Sequence, residues 1–146
     1  MWGYSLQCQQ NIMMNNNYNI DLLKVICDFL ELGHVENIVA MFKQDKNLYG
    51  LTGNLIRDER FAVRLGTAVL FEELAEVRPD EISLAIPSLL PLLQDANPVL
   101  RGEAATILGI IGSPVAMQHL EQLTNDPDSQ VREIIADILN EGAEKL

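Results

Sequence analysis

Basic residues are scarce: ten Lys and Arg stand against 21 Asp and Glu, a formal charge of −11 over 146 residues. That balance excludes the counterion release by Lys and Arg that drives non-specific nucleic-acid binding, and it excludes attraction to an anionic membrane surface. Aromatic residues make up 5% against 48% hydrophobic residues, so a core has to be built from Leu, Ile, Val and Ala. Strands favour aromatic and β-branched residues, and the shortage points to an all-α protein. Cys8 and Cys27 are too few for a disulfide framework or a four-cysteine zinc site, and two reduced thiols in a cytoplasmic protein are expected. The two histidines, His34 and His119, stand 85 residues apart. No HExxH, P-loop or GxSxG occurs, so neither metal, cofactor nor catalytic residue is expected. No apolar run approaches the ~20 residues that cross a bilayer, and no basic start leads into an apolar stretch, so neither anchor nor leader is expected.

What is present is unevenly placed. Residues 1–57 hold five acids and four bases, and residues 58–146 hold sixteen acids and six bases. Residues 1–19 carry no charged side chain and five Asn, the composition of a polar tail. From Ile20 the spacing of Ile20, Leu23, Ile26 and Leu30 predicts a capping helix over 20–33, with Gly33 as its stop. The length fits one domain of ~100–150 residues.

Three segments superpose on an Asp followed six residues later by an Arg: Asp58 and Arg64, Asp95 and Arg101, Asp126 and Arg132. Four residues beyond each Arg stands an Ala (Ala68, Ala105, Ala136), and seven beyond it a bulky apolar residue (Phe71, Leu108, Leu139). Each unit reads as two antiparallel helices joined by a turn of Asp, Asn and Pro. The expected divisions are repeat one at 34–78, repeat two at 79–112 and repeat three at 113–146. In repeat one the first helix is placed at 35–44 and residues 45–57 are taken as an insertion. Pro91 is expected to bend the first helix of repeat two. The recurring Asp is expected to cap the helix that follows, and the recurring Arg to bond it or the next unit's Asp, giving a structural ladder.

On a wheel of ~100° per residue, Val63, Thr67, Ala68, Leu70, Phe71 and Leu74 share one side of the second helix, and Leu100, Ala104, Ala105, Ile107, Leu108 and Ile111 repeat the pattern. That side is the expected core. The opposite arc carries Leu65, Val69, Glu72 and Glu73, then Glu103, Thr106 and Ile110, then Glu133, Ile134, Asp137 and Glu141. Apolar side chains rimmed by charge mark a candidate surface for another protein, basic or amphipathic.

The stretch AIPSLLPLLQDANPVLRGEAATILGIIG, with AMQHLEQLTNDPDSQVREIIADIL, resembles HEAT repeats of the phycobilisome-lyase-like subclass over residues 35–142. The resemblance implies a short right-handed α-solenoid of about three helix pairs, whose second helices line a concave face. DERFAVRLGTAVLFEELAE is also similar to HEAT modules attached to thioredoxin-like domains, although no Cys-x-x-Cys is present here. Neither histidine sits in the His-Glu pairs of deoxyhypusine hydroxylase, an iron-binding HEAT enzyme. The function implied is a non-catalytic interaction scaffold. Three alternatives stay open at this point: a tetrapyrrole-holding role, an accessory to a redox enzyme, and a homodimer through a last helix crowded with Ile134, Ile135, Ile138 and Leu139.

Overall fold

The computed structural model describes residues 20–144, so the Asn-rich tail 1–19 and Cys8 lie outside the described residues. Among these the chain is helical without strands: α1 (20–31), α2 (Val35–Gln44), α3 (Thr52–Ile56), α4 (Phe61–Val77), α5 (Ile86–Leu89), α6 (Pro98–Ile111), α7 (Pro114–Glu121) and α8 (Ser129–Glu144). The helix ends follow the sequence. Gly33 takes φ +84° after α1, and the amides of Gly33 and His34 turn back to the carbonyls of Leu30 and Phe29. Gly112, at φ +65°, closes α6. Ser113 then caps α7 with Pro114 in its first turn.

Helices α4, α6 and α8 lie side by side as one layer, with α6 packed against both neighbours. Residues 45–57 are not an insertion. They form a 3-10 turn, Lys46–Leu51, and α3, which pack on α4 and on the corresponding elements of the next unit. Leu48, Thr52 and Leu55 stand ten, six and three residues before Asp58, as Ala85, Leu89 and Leu92 stand before Asp95, and all six are buried. The segment therefore takes the place of the first helix of repeat one, and α2 is an additional helix packed on α4. Gly50 and Gly53 disguise it, because both residues weaken a helical pattern in sequence. In repeat two the first helix is broken into a 3-10 turn at Ile82–Ala85, α5 and a second 3-10 turn at Leu90–Gln94, with Pro91 inside the last.

The core is aliphatic, as the composition requires, except at one end. There Phe42, Tyr49 and Phe71 meet edge to face, with centroids 5.0 and 6.2 Å apart. On α8, Val131 and Ile135 are buried, and Ile134, Ile138 and Leu139 pack on the core rather than standing bare. Gly102 and Gly109 on α6 make this possible. A Cβ at either would stand about 3 Å from Ile134 or Ile138, so α8 settles closely and uses the apolar surface expected to pair two copies. Among the described residues the large exposed apolar side chains lie elsewhere, including Val25 and Phe29 on α1, Leu32 just after it, and Phe61, Leu65 and Val69 on α4.

The recurring Asp residues do not cap helices. Asp58, Asp95 and Asp126 each accept the amide two residues on, from Arg60, Asn97 and Asp128, at 2.8–2.9 Å. They stand too early to reach the helix amides and fold an Asx turn instead. Asn97 and Asp128 do the capping. Each recurring Arg donates to the carbonyl of its own Asp: Arg64 at 2.9, Arg101 at 2.8 and Arg132 at 2.6 Å. Only Arg101 also reaches the next turn's carboxylate, donating through Nε and Nη2 to Asp126 at 2.9 Å each. Asp95 receives Arg57 at 3.3 Å instead of Arg64. Asp58 receives Arg60, whose Nη1 also binds Asp28 and Glu31 of α1 at 3.0 and 2.6 Å and so ties α1 to the stack.

Candidate functional site

Helix α4 sets the site. Positions 61, 65, 69, 72 and 76 recur on one stripe of a 3.6-residue helix. In the fold that stripe carries Phe61, Leu65 and Val69, exposed at 64%, 53% and 37%, and then the exposed carboxylates Glu72 and Glu76. Two hollows open along the seam between α4 and α6, and Thr106 lines both.

The smaller hollow, of about 160 Å³, lies against the first half of α4 and is walled by Ile56, Phe61, Leu65, Ala68 and Ile107. Its charged lining residues, Arg64 and Glu103, answer each other, with Nε 2.8 Å from Oε2. The N–H is not aimed at the carboxylate, so the pair acts through charge. Arg64 is held further by the carbonyls of Asp58 and Glu59, each at 2.9 Å, and by the Phe61 ring 5.8 Å away.

The larger hollow is a groove of about 1260 Å³ at the C-terminal ends of α4, α6 and α8. Its floor is Ala75, Ile110, Ile111, Met117, Ile138 and Leu139. Four exposed carboxylates rim it: Glu72, Glu76, Glu121 and Glu141. No cationic side chain among the described residues lines it. A small-molecule pocket commonly measures ~300–1,000 Å³, so this space is larger and more open than one.

Of the surface expected from sequence, Leu65, Glu72, Glu103, Thr106, Ile110 and Glu141 line one or both hollows. Val69 continues the exposed stripe, whereas Glu73, Glu133 and Asp137 are exposed but line neither. Ile134 is turned against Gly102 and half-buried. Phe61 and Glu76 were not anticipated, although one more turn of the same wheel in each direction reaches them. Met117 and Glu121 come from α7, a first helix of its unit, and nothing in the wheel of the second helices points to them. Cys27 is buried, and burial followed by the neighbouring Asp58 pushes its thiol up to about 11, which suits a core residue rather than a nucleophile.

A family profile described as HEAT repeats matches residues 50–140, well over half of the chain. The chain belongs to the HEAT-repeat family. The HEAT match begins inside the 45–57 segment and ends in α8, so it covers both helices of the seam, α4 and α6, and most of α8. Comparison with curated proteins gave no match, and comparison with solved structures gave none either. HEAT repeats are in general scaffolds for protein interaction, and among the described residues no helix is long and apolar enough to cross a membrane.

Proposed function

We propose that this solenoid is a non-catalytic scaffold that holds a basic, amphipathic helix of another protein along the α4–α6 seam. One observation carries the reading: the larger groove joins an apolar floor to four exposed carboxylates and offers no cation among its described lining residues. Such a surface is complementary to a segment with one apolar and one basic face. The occupant is helical because the seam is lined by side chains and the described residues include no strand whose edge an extended peptide could join. A tetrapyrrole fits less well, since its carboxylates would face Glu72, Glu76, Glu121 and Glu141 with no cation to receive them.

The test is titration of a synthetic Leu/Lys amphipathic helix into the protein, followed by calorimetry. The triple substitution Glu72→Lys, Glu76→Lys, Glu141→Lys weakens binding at least tenfold, because each exposed pair is worth ~0.2–1 kcal/mol and reversal turns attraction into repulsion. An unchanged Kd in a folded variant overturns the reading.

A further inference from the structure

The seam is not uniform along its length, and the difference between its two ends specifies the partner further. Beside the first half of α4, the charges of the smaller hollow are already matched, since Arg64 and Glu103 face each other at 2.8 Å. What remains there for a ligand is apolar: Leu65, Ala68 and Ile107 around about 160 Å³. A cavity of ~150 Å³ holds one benzene ring, so this space takes a single large aliphatic or aromatic side chain.

At the other end the balance is reversed. Glu72, Glu76, Glu121 and Glu141 rim the groove without a cation among the described lining residues. Three helices, α4, α6 and α8, also end there, with Glu76, Ile111 and Gly142 near their C-termini lining the groove. The last carbonyls of a helix carry about half a negative charge and favour cations. Among the described residues α7 alone begins at this groove, through Pro114, and its one N-terminus offsets only part of the three C-termini, so the net dipole adds to the carboxylates. The preference for positive charge at this end therefore has two sources, side chain and backbone.

We propose, building on the scaffold reading above, that the seam reads a partner helix in two separate parts. One large apolar side chain seats in the hollow at Leu65 and Ala68, and a cluster of Lys or Arg lies over Glu72 and Glu76. At ~1.5 Å per residue along α4, Leu65 stands about 10 Å from Glu72 and about 16 Å from Glu76. The apolar anchor and the basic cluster of the partner are thus separated by two to three helical turns. An amphipathic helix with cations spread evenly along one face satisfies only half of the seam.

Two helical peptides of identical composition test this. The first places one Phe two to three turns from a cluster of three Lys, and the second scatters the same Lys along the helix; circular dichroism verifies that both are helical. The segregated peptide binds at least tenfold more tightly than the scattered one. Leu65→Glu, at an exposed position, removes that advantage while leaving the thermal transition in place, and Glu72→Lys with Glu76→Lys removes it too. Ala68→Phe fills the hollow from within and gives the same loss as a second, independent variant. Equal affinity for the two peptides overturns the two-part recognition and leaves the scaffold reading standing. Binding of neither peptide overturns both.

Discussion

Arg101 and Asp126 are the most deeply buried ion pair among the described residues, with side chains 12% and 3% exposed. The carboxylate accepts two guanidinium bonds and the Asp128 amide, and hydrogen bonding from Arg101 holds it well below the usual carboxylate range. Arg101→Met leaves it buried and unanswered, so that change costs about 2–3 kcal/mol in chemical denaturation. Arg57→Ala removes a pair at 3.3 Å whose Arg is 50% exposed and costs under ~1 kcal/mol. Asp58 is also depressed, to about 2, chiefly by its hydrogen bonds from Arg60. Both folded-state values lie below the ~3.9 of an unfolded Asp, so the folded state binds fewer protons and gains stability from ionisation. The melting temperature is therefore level above about pH 5 and falls as the pH drops from 4 toward 2. A melting temperature that holds through that range contradicts the pairing at Asp58 and Asp126.

Single elements carry a sharper contrast. Gly53 on α3 lies so close to α5 that a Cβ would run into the Ser88 carbonyl oxygen, and its N–H donates to Ser88 Oγ at 3.1 Å. Gly50, three residues earlier, has open space around it. Gly53→Ala therefore costs about 1–3 kcal/mol through displaced backbone. Gly50→Ala is neutral or stabilising by up to ~1 kcal/mol, since it only restricts the unfolded chain. Urea denaturation of the two variants measures the difference. These glycines also show why the first helix of repeat one was hard to read. The Asp-to-Arg spacing and the wheel of the second helices were legible, because every turn buries the same face. The 45–57 segment was not, because its helical character comes from packing on α4 and α5 and its own propensity opposes a helix. Likewise, an Asp before a helix is equally compatible with a cap and with an Asx turn, and the two differ here by a shift of two residues, from Asp95 to Asn97 and from Asp126 to Asp128. The apolar crowding on α8 read as a free surface because Gly102 and Gly109, the positions that receive it, lie on another helix.

For the whole molecule, the low count of basic residues becomes a statement about place. Among the recurring Asp, the carboxylates are answered by Arg57, Arg60 and Arg101, which leaves the repeat architecture nearly self-neutralising at its turns. Four of the unanswered carboxylates gather instead at the C-terminal ends of the layer helices, above an apolar floor. The α4 arc of that site was legible as a stripe in sequence, although truncated by a turn at each end. The contribution of α7 was not, because it depends on how α6 turns at Gly112 and brings Met117 and Glu121 back to the seam. The most direct measurement is a two-dimensional amide NMR titration of the protein with the segregated Phe/Lys helix. Signals of Leu65–Glu76, Thr106–Gly112 and Ile138–Ala143 should move together with one saturating curve. Shifts confined to α1 and α2, or scattered without saturation, would contradict binding along the seam.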